Sequence, residues 1–541
     1  METMPLEGQP PVTDTTAVGR GQIDPVVPPP GSGSAGDPNQ QHFGTEHLLT
    51  NLKSRTISSG FVTAGAQSVN FVLTLGSTVV LARLLTPHDF GLIAMVTAVM
   101  SFLQVFKDAG LSMATVQRKE ITHAQVSNLF WLNTAFGGGS MLTIALAAPA
   151  VAWFYRDSRL IGATLALSAS FLLAGLTVQH MALLNRKLRL KTVAAIEVAS
   201  GMASASVGIG LAALHCGYWS LVGQQLAGPL TSLLLTWTNC GWRPQGPRRG
   251  AGTRPLVNFG FNLTAGNLVY SMARGVDSIL IGRFFGAEAL GFYSRAAALL
   301  RRPLEQFLNP IVSVAVPVLS RIQAEQERYR RVYLHVYDAM ALVSFLGSGV
   351  AVPLARPLVL VLLGTQWEKA AGMYAGFAIA AMYAAVSSST YWLFTSQGRG
   401  RELLKANMVT SVITIAAFAA GLPFGPLGMA FAWSISGLVA RLPYLYYMAG
   451  RQGPVRTADL WLSFFRHLPV WIAALGATWG MTRLVQDFRP IMQLLICAPV
   501  GLSVGVAVTG LLRPTRQTAL YLLTTITEFL GFRRTAAAKA A

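Results

Sequence analysis

Residues 259–320 read FGFNLTAGNLVYSMARGVDSILIGRFFGAEALGFYSRAAALLRRPLEQFLNPIVSVAVPVLS. The stretch is long and apolar enough to cross a bilayer twice, since one helical crossing takes about 20 apolar residues. It nevertheless carries charge inside both crossings. On the first helix Asn267, Tyr270, Arg274 and Asp277 recur at steps of three or four, which lines them up along one side of the cylinder. On the second, Arg295, Arg302, Glu305 and Asn309 recur in the same way. An Arg at the middle of a lipid-facing helix costs about 2.5–3.5 kcal/mol, so both faces are expected to look into a protein-lined cavity.

A shift of 200 positions lays LARLLTPHDFGL (81–92) on IGRFFGAEALGF (281–292), matching Arg83 to Arg283 and Gly91 to Gly291. Gly60 and Phe61 fall on Gly260 and Phe261, and Gln67, Asn70, Thr74 and Ser77 fall opposite Asn267, Tyr270, Arg274 and Asp277. The polar pattern carries this repeat more than the identities do. It implies two halves of one design, with a binding site where the copies meet.

Hydrophobic residues make up 52% of the chain, charged residues only 12%, and mean hydropathy is +0.47, more apolar surface than a soluble core would bury. The class is an all-α polytopic membrane protein. Cys216, Cys240 and Cys497 lie far apart in or beside hydrophobic segments and form neither a disulfide framework nor a metal spacing. No GxxxxGK[ST] loop occurs, so direct use of ATP is not expected and no cofactor is implied. The net charge of +20 is spread over short loops instead of one stripe, which argues against a nucleic-acid partner.

Residues 1–55 are rich in Pro, Gly, Ser and Thr and are expected to form a disordered tail. No basic segment followed by an apolar run opens the chain, so no cleaved signal peptide is expected. Fourteen spans follow, near 57–84, 89–111, 125–154, 159–182, 192–214, 218–237, 257–282, 288–316, 332–362, 370–394, 402–422, 427–448, 464–485 and 490–511. The ninth is long enough to hide a break near Pro353 and Pro357. The basic, Pro- and Gly-containing loop 241–254 divides an N-terminal lobe (56–240, six spans) from a C-terminal lobe (255–450, six spans). Two further spans occupy 451–512, and 513–541 reads as an amphipathic tail at the membrane surface. With this alternation 27 of the 42 Lys and Arg residues collect on the side of the termini and 8 on the other, so both termini are expected to be cytoplasmic.

LARLLTPHDFGL, FKDAGLSMATVQRKEITHAQVSNLFWLN (106–133), LLNRKLRLK (183–191) and SMARGVDSILIGRFFGAEALGFYSRA (271–296) resemble the polysaccharide transporter family, the Wzx and WzxC-type lipid-linked oligosaccharide flippases. The resemblance covers residues 55–450 well and the last two spans loosely, and the Pro-rich head departs from it. It implies the MOP-superfamily fold shared with MurJ and MATE exporters, two six-helix lobes with pseudo-twofold symmetry plus two C-terminal helices around a central cavity that opens to alternate sides. The implied substrate is an undecaprenyl-diphosphate-linked oligosaccharide, moved from the cytoplasmic to the periplasmic leaflet of a bacterial inner membrane for exopolysaccharide, capsule or O-antigen assembly. Membrane lipids, a polysaccharide polymerase and export machinery are the implied partners.

The residues agree with such a substrate on charge. A diphosphate cannot cross hydrocarbon unaided, and Arg offers a planar fork of donors to phosphate oxygens. Six bases lie in the predicted spans: Lys107, Arg274, Arg295, Arg301, Arg302 and Arg441. Neutralisation by nearby acids is the competing reading for Lys107 beside Asp108, for Arg274 near Asp277, and for whichever of Arg301 and Arg302 meets Glu305. Arg295 and Arg302 are the preferred anion ligands. Gln67, Asn70, Gln104 and Asn267 are expected either to bind sugar hydroxyls or to pack helices together. Glu197 and Asp338 are candidates for coupling to H+ or Na+, or for pairing with a buried base. His180 and His215 read as interfacial histidines. Pro303, Pro310 and Pro317 recur every seven residues and are expected to bend the eighth span, as a static kink or a lateral gate.

Membrane potential is a sufficient drive in principle. One charge moved through 100 mV is worth about 2.3 kcal/mol, and a doubly negative head group leaving a negative cytoplasm gains about twice that. The alternative readings are a MATE-like cation-coupled small-molecule antiporter, which drug-resistance assays would reveal, and a non-transporting scaffold, in which charge reversal at Arg295 or Arg302 would leave polymer output intact.

Overall fold

The computed structural model describes residues 52–104, 110–118, 120–257, 275–522 and 524, and all regular structure among them is helical. The first half contains α1 (Leu52–Leu84), α2 (Pro87–Gln104), the short α3 (Leu111–Gln117), α4 (His123–Tyr155), α5 (Arg159–Arg186), α6 (Leu190–Ala213) and α7 (Trp219–Cys240). The second contains α8 (Val276–Arg321), α9 (Gln326–Ala351), the short α10 (Ala355–Leu362), α11 (Ala370–Ser396), α12 (Gly400–Gly421), α13 (Gly425–Ser436) and α14 (Leu442–Gly450). Helices α15 (Thr457–Leu484) and α16 (Pro490–Leu511) complete the bundle, and a further helix covers 513–522.

Nine stretches among the described residues are long and apolar enough to cross a membrane by composition alone, and one of them, Gly400–Gly450, is a 51-residue hairpin of two crossings. α2, α7 and the two arms of α8 fill the remaining places in the fourteen-span order, the seventh span being described from Val276 onward. α13 and α14 form one crossing joined by a π-helical turn at Gly437–Arg441.

Local chemistry fixes the turns. Thr86 and Asp89 cap α2 reciprocally: the Thr86 backbone N–H donates to the Asp89 carboxylate at 3.0 Å, and the Asp89 N–H donates back to Thr86 Oγ1 at 3.3 Å. Pro87 then occupies the first helical turn, where its missing N–H costs nothing. Two hundred residues on, the same turn is made at Gly286, whose φ of 82° and ψ of −178° break α8 into two arms. The backbone leaves the helical region inside α8 only there, so the bend expected at Pro303, Pro310 and Pro317 is instead placed at a glycine between two crossings. The break expected in the ninth span is present between Ala351 and Ala355, with Pro353 in the turn.

The two halves meet through these matched turns. A Cβ on Gly91 would lie 1.7 Å from the Ala287 carbonyl oxygen, and one on Gly291 would lie 1.9 Å from the Pro87 carbonyl oxygen. Residue 87 thus faces 291 as 91 faces 287, a pseudo-twofold crossing in which backbone rests on backbone. Around it the fully buried Trp367 donates its indole N–H to Ala82 O at 2.7 Å and packs edge-on to both Phe90 and Phe292. Gln366 Nε2 donates to Ala82 O at 2.6 Å, and Arg83 Nη2 to Val361 O at 2.7 Å.

All of these contacts lie at the end of the bundle away from the 241–254 loop, because successive helices alternate direction. There one continuous apolar core draws on both halves, from Leu81, Phe90 and Tyr155 to Tyr293, Trp367 and Phe377. At the opposite end the described residues form separate cores, one around Phe130, Leu184 and Trp242 and one around Tyr333, Phe394 and Tyr446. The bundle is sealed at one end and divided at the other.

The 241–254 loop is strapped to the first half. Asn128 donates to Arg248 O at 2.8 Å and accepts from the Arg248 N–H at 2.9 Å, while Trp131 Nε1 donates to Gln245 O at 2.8 Å and the Gln245 N–H to Ser127 Oγ at 3.1 Å. Trp242 is fully buried beside His180 and Phe130, and His180 stacks on Trp237 at 4.5 Å. His180 is therefore a packed aromatic-box residue and not the wet interfacial histidine its sequence position suggests.

Candidate functional site

α8 carries the charges that decide the site, and its geometry sorts them. With 3.6 residues per turn each step rotates about 100°, so Arg295, Arg302 and Asn309 stay close to one line. Tyr293, Ala297, Leu300, Leu304 and Leu308 lie on the opposite side and line a cavity inside the second half. Arg301 and Glu305 fall between these faces and form the edge of that cavity. Glu305 therefore leaves the Arg295–Arg302 face on which the residue spacing had grouped it, because ten residues on a helix end about 80° short of a full turn.

The Arg295–Arg302 face is the one turned to the other half. The Arg295 guanidinium sits 4.8 Å from the centroid of the Phe90 ring on α2, an interaction worth about 2 kcal/mol when desolvated. Its Nε is buried without a hydrogen-bond partner among the described residues. Arg302 lies two turns further from the sealed end and is exposed. Glu305 instead approaches Arg301, Nε to Oε1 at 3.7 Å, with both side chains about half exposed. No carboxylate among the described residues comes within ion-pair distance of Arg295 or Arg302.

Counting from Ala287 at about 1.5 Å per residue, Arg295 lies about 12 Å and Arg302 about 22 Å into the helix, both within the roughly 30 Å hydrocarbon layer. A cation there is stable only beside water, an anion or an aromatic face. The combination of a sealed end and two Arg residues set at increasing depth below it can hold a multivalent anion between the halves.

The remaining predicted residues fall elsewhere. Asp277 accepts from Tyr293 OH at 3.1 Å and from the Ser278 N–H at 2.7 Å, on the wall of the cavity in the second half. Arg441 lies over Trp433 at 5.1 Å, donates to its carbonyl, and reaches Thr414 Oγ1 at 3.4 Å. Asn70 and Glu197 line a second cavity of about 750 Å³ within the first half, bounded by mostly apolar side chains such as Met113, Val116 and Met181. Gln67 is exposed on α1 and Gln104 is exposed at the end of α2. Asp338 is buried and ion-paired with Arg466 at 3.0 Å, with His467 Nδ1 at 3.9 Å. Lys107, Asp108, Asn267, Tyr270 and Arg274 lie outside the described residues.

Sequence reasoning missed Trp367 and Gln366, which seal the far end, and Phe90, which faces Arg295. Only Phe90 left a signal, since it falls inside the 81–92 repeat. It also missed Trp433, Tyr383 and Tyr391, which stand around Arg441 on other helices.

The chain resembles known proteins in both sequence and shape. Residues 80–372 match the family model described as polysaccharide biosynthesis protein. The teichuronic acid biosynthesis protein TuaB of Bacillus subtilis is 28% identical over 326 residues, 60% of this chain, and the chain spans 66% of that relative, just under two thirds. The lipopolysaccharide biosynthesis protein WzxC of Escherichia coli is 22% identical over 78% of this chain and 87% of its own. Among solved structures, the lipid II flippase MurJ in an inward closed conformation superposes with a TM-score of 0.67 at 13% identity, covering 83% of this chain and 99% of that one. A multidrug resistance MATE family transporter of the MOP superfamily, in an inward-facing conformation, gives a TM-score of 0.54 at 15% identity, over 74% of this chain and 99% of that one. With more than half its length inside the family model and the helix order of these folds, the chain belongs to the polysaccharide biosynthesis protein family and has the MOP-superfamily fold.

Proposed function

We propose that this protein is a flippase that moves undecaprenyl-diphosphate-linked oligosaccharide units from the cytoplasmic to the periplasmic leaflet of a bacterial inner membrane, as WzxC-like relatives named for polysaccharide biosynthesis suggest. The observation that supports it most is the pair Arg295 and Arg302, without carboxylate partners among the described residues, on the face of α8 turned to the other half. The diphosphate enters from the divided end, which the loop charges make cytoplasmic. Arg302 meets it first, and Arg295 draws it toward the seal. Guanidinium forks replace the hydration that the phosphate oxygens give up. Opening of the Gly91–Gly291 crossing then releases the head group outward while the polyprenyl tail stays in lipid.

Export of two negative charges from a negative interior is favourable by about 4.6 kcal/mol at 100 mV, so potential alone suffices, with H+ or Na+ coupling through Glu197 or Asp277 as an added drive. The product passes to polymerase and export machinery in the periplasm. Deletion of the gene, followed by leaflet-resolved detection of lipid-linked repeat units, tests the proposal. Accumulation on the cytoplasmic leaflet, relieved by the wild-type chain and not by Arg302→Glu, is expected; no accumulation would refute flipping.

A further inference from the structure

The cavity of about 380 Å³ inside the second half has no role in anion passage as described above, and its chemistry differs from that of the Arg295–Arg302 face. Its volume is near the lower end of small-ligand pockets, roughly 300–1,000 Å³. Two acids, Asp277 and Glu305, and two bases, Arg301 and Arg441, stand on its wall, so its formal charge balances. A phosphate site requires an excess of bases, a cation site an excess of acids, and a tail groove neither. Half-buried Trp433 and Tyr391 line the same space together with the hydroxyls of Ser387, Ser388 and Thr410. Aromatic surface beside closely spaced donors and acceptors of both kinds fits a ligand with apolar C–H faces and several neighbouring hydroxyls.

The position of the cavity relative to the phosphate face is as informative. Arg301 at its mouth and Arg302 on the facing surface are adjacent residues of one rigid helix. A ring bonded directly to a phosphate held by Arg302 therefore has the mouth of the cavity within one linkage. We infer that this cavity is a glycosyl subsite, holding the sugar attached to the diphosphate between Trp433, Tyr391 and the Asp277, Arg301, Glu305 and Arg441 side chains. The inference rests on the flippase reading and deepens it, because it makes the first sugar, and not the phosphate alone, part of what the protein recognises.

The test uses the full chain in lipid nanodiscs and two probes, bare undecaprenyl diphosphate and undecaprenyl diphosphate carrying one glucose or galactose. Trp433→Leu and Tyr391→Leu are expected to weaken binding of a sugar-carrying probe at least tenfold and to leave the bare probe unchanged, which also reports an intact fold. Trp433→Phe should restore sugar-dependent binding to within about threefold. Arg302→Gln should weaken both probes. Equal weakening of both probes by the two Leu variants, or no effect on either sugar probe, overturns the glycosyl subsite. Retention of bare-probe affinity by Arg302→Gln instead overturns the anion reading and leaves the sugar measurement to stand by itself.

Discussion

Replacing Gly91 with Ala should push the sealed end open. The added Cβ would lie 1.7 Å from the Ala287 carbonyl oxygen, and the equivalent change at Gly291 would lie 1.9 Å from Pro87 O, whereas ordinary contact begins near 3.4 Å. The two helices must therefore part by about 1.5 Å, and because the obstacle is backbone on both sides no rotamer change relieves it. Overpacking of this kind costs about 1–3 kcal/mol, and the cost falls on the sealed conformer alone. The equilibrium between sealed and open forms should shift roughly 5- to 150-fold.

The shift is measurable by electron-electron distance spectroscopy between spin labels at Ser158 and Glu368, on exposed far-end turns of the two halves, with Cys216, Cys240 and Cys497 replaced by Ser. Both G91A and G291A should lengthen the distribution, and the double variant should add little, because either change alone already separates the same contact. Gly138 in α4 has nothing within 4 Å of its Cβ position, so G138A is the control and should leave the distribution in place. Unchanged distances in both seam variants would refute the view that this crossing holds the far end shut.

Arg302→Gln should lower transport roughly 10- to 150-fold, from loss of a charge-assisted bond worth about 1.5–3 kcal/mol, and Arg302→Lys should fall between, as measured with lipid-linked glycan in proteoliposomes. Asp338→Asn leaves Arg466 mostly buried without its carboxylate, so thermal unfolding in detergent should show a loss of about 1–3 kcal/mol with little change in substrate binding. Asn128→Ala removes both hydrogen bonds to Arg248, and tryptic cleavage at Arg248 or Arg249 should become roughly 5- to 30-fold faster if the strap opens locally by 1–2 kcal/mol less.

Hydrophobic runs made the helix order readable from composition, and the 81–92 and 281–292 match identified the very turns through which the halves touch. The repeat was legible because a turn needing Gly or a capped Pro leaves marks at fixed positions. The face of α8 was legible in part. A seven-residue step such as Arg295 to Arg302 returns almost to the same line, but the steps to Glu305 accumulate an angle that spacing by threes and fours conceals. Trp367, Trp433 and Tyr391 were invisible as site residues because each is brought in by a helix or loop distant in sequence. An apolar aromatic in an apolar helix carries no periodic signal of what it will face.

Fastening of residues 241–253 along the end of α4 has a mechanical corollary. A connector free at both ends would let the halves drift, and one tied to a single half instead behaves as an extension of that body. Relative motion must then be taken up beyond Thr253, whose Oγ1 is the last anchored group, at 3.0 Å from Asn128 Nδ2. The pivot of the rocking movement is thereby displaced to the entrance of the seventh crossing, where a small rotation is delivered to the helix that continues into Arg295 and Arg302.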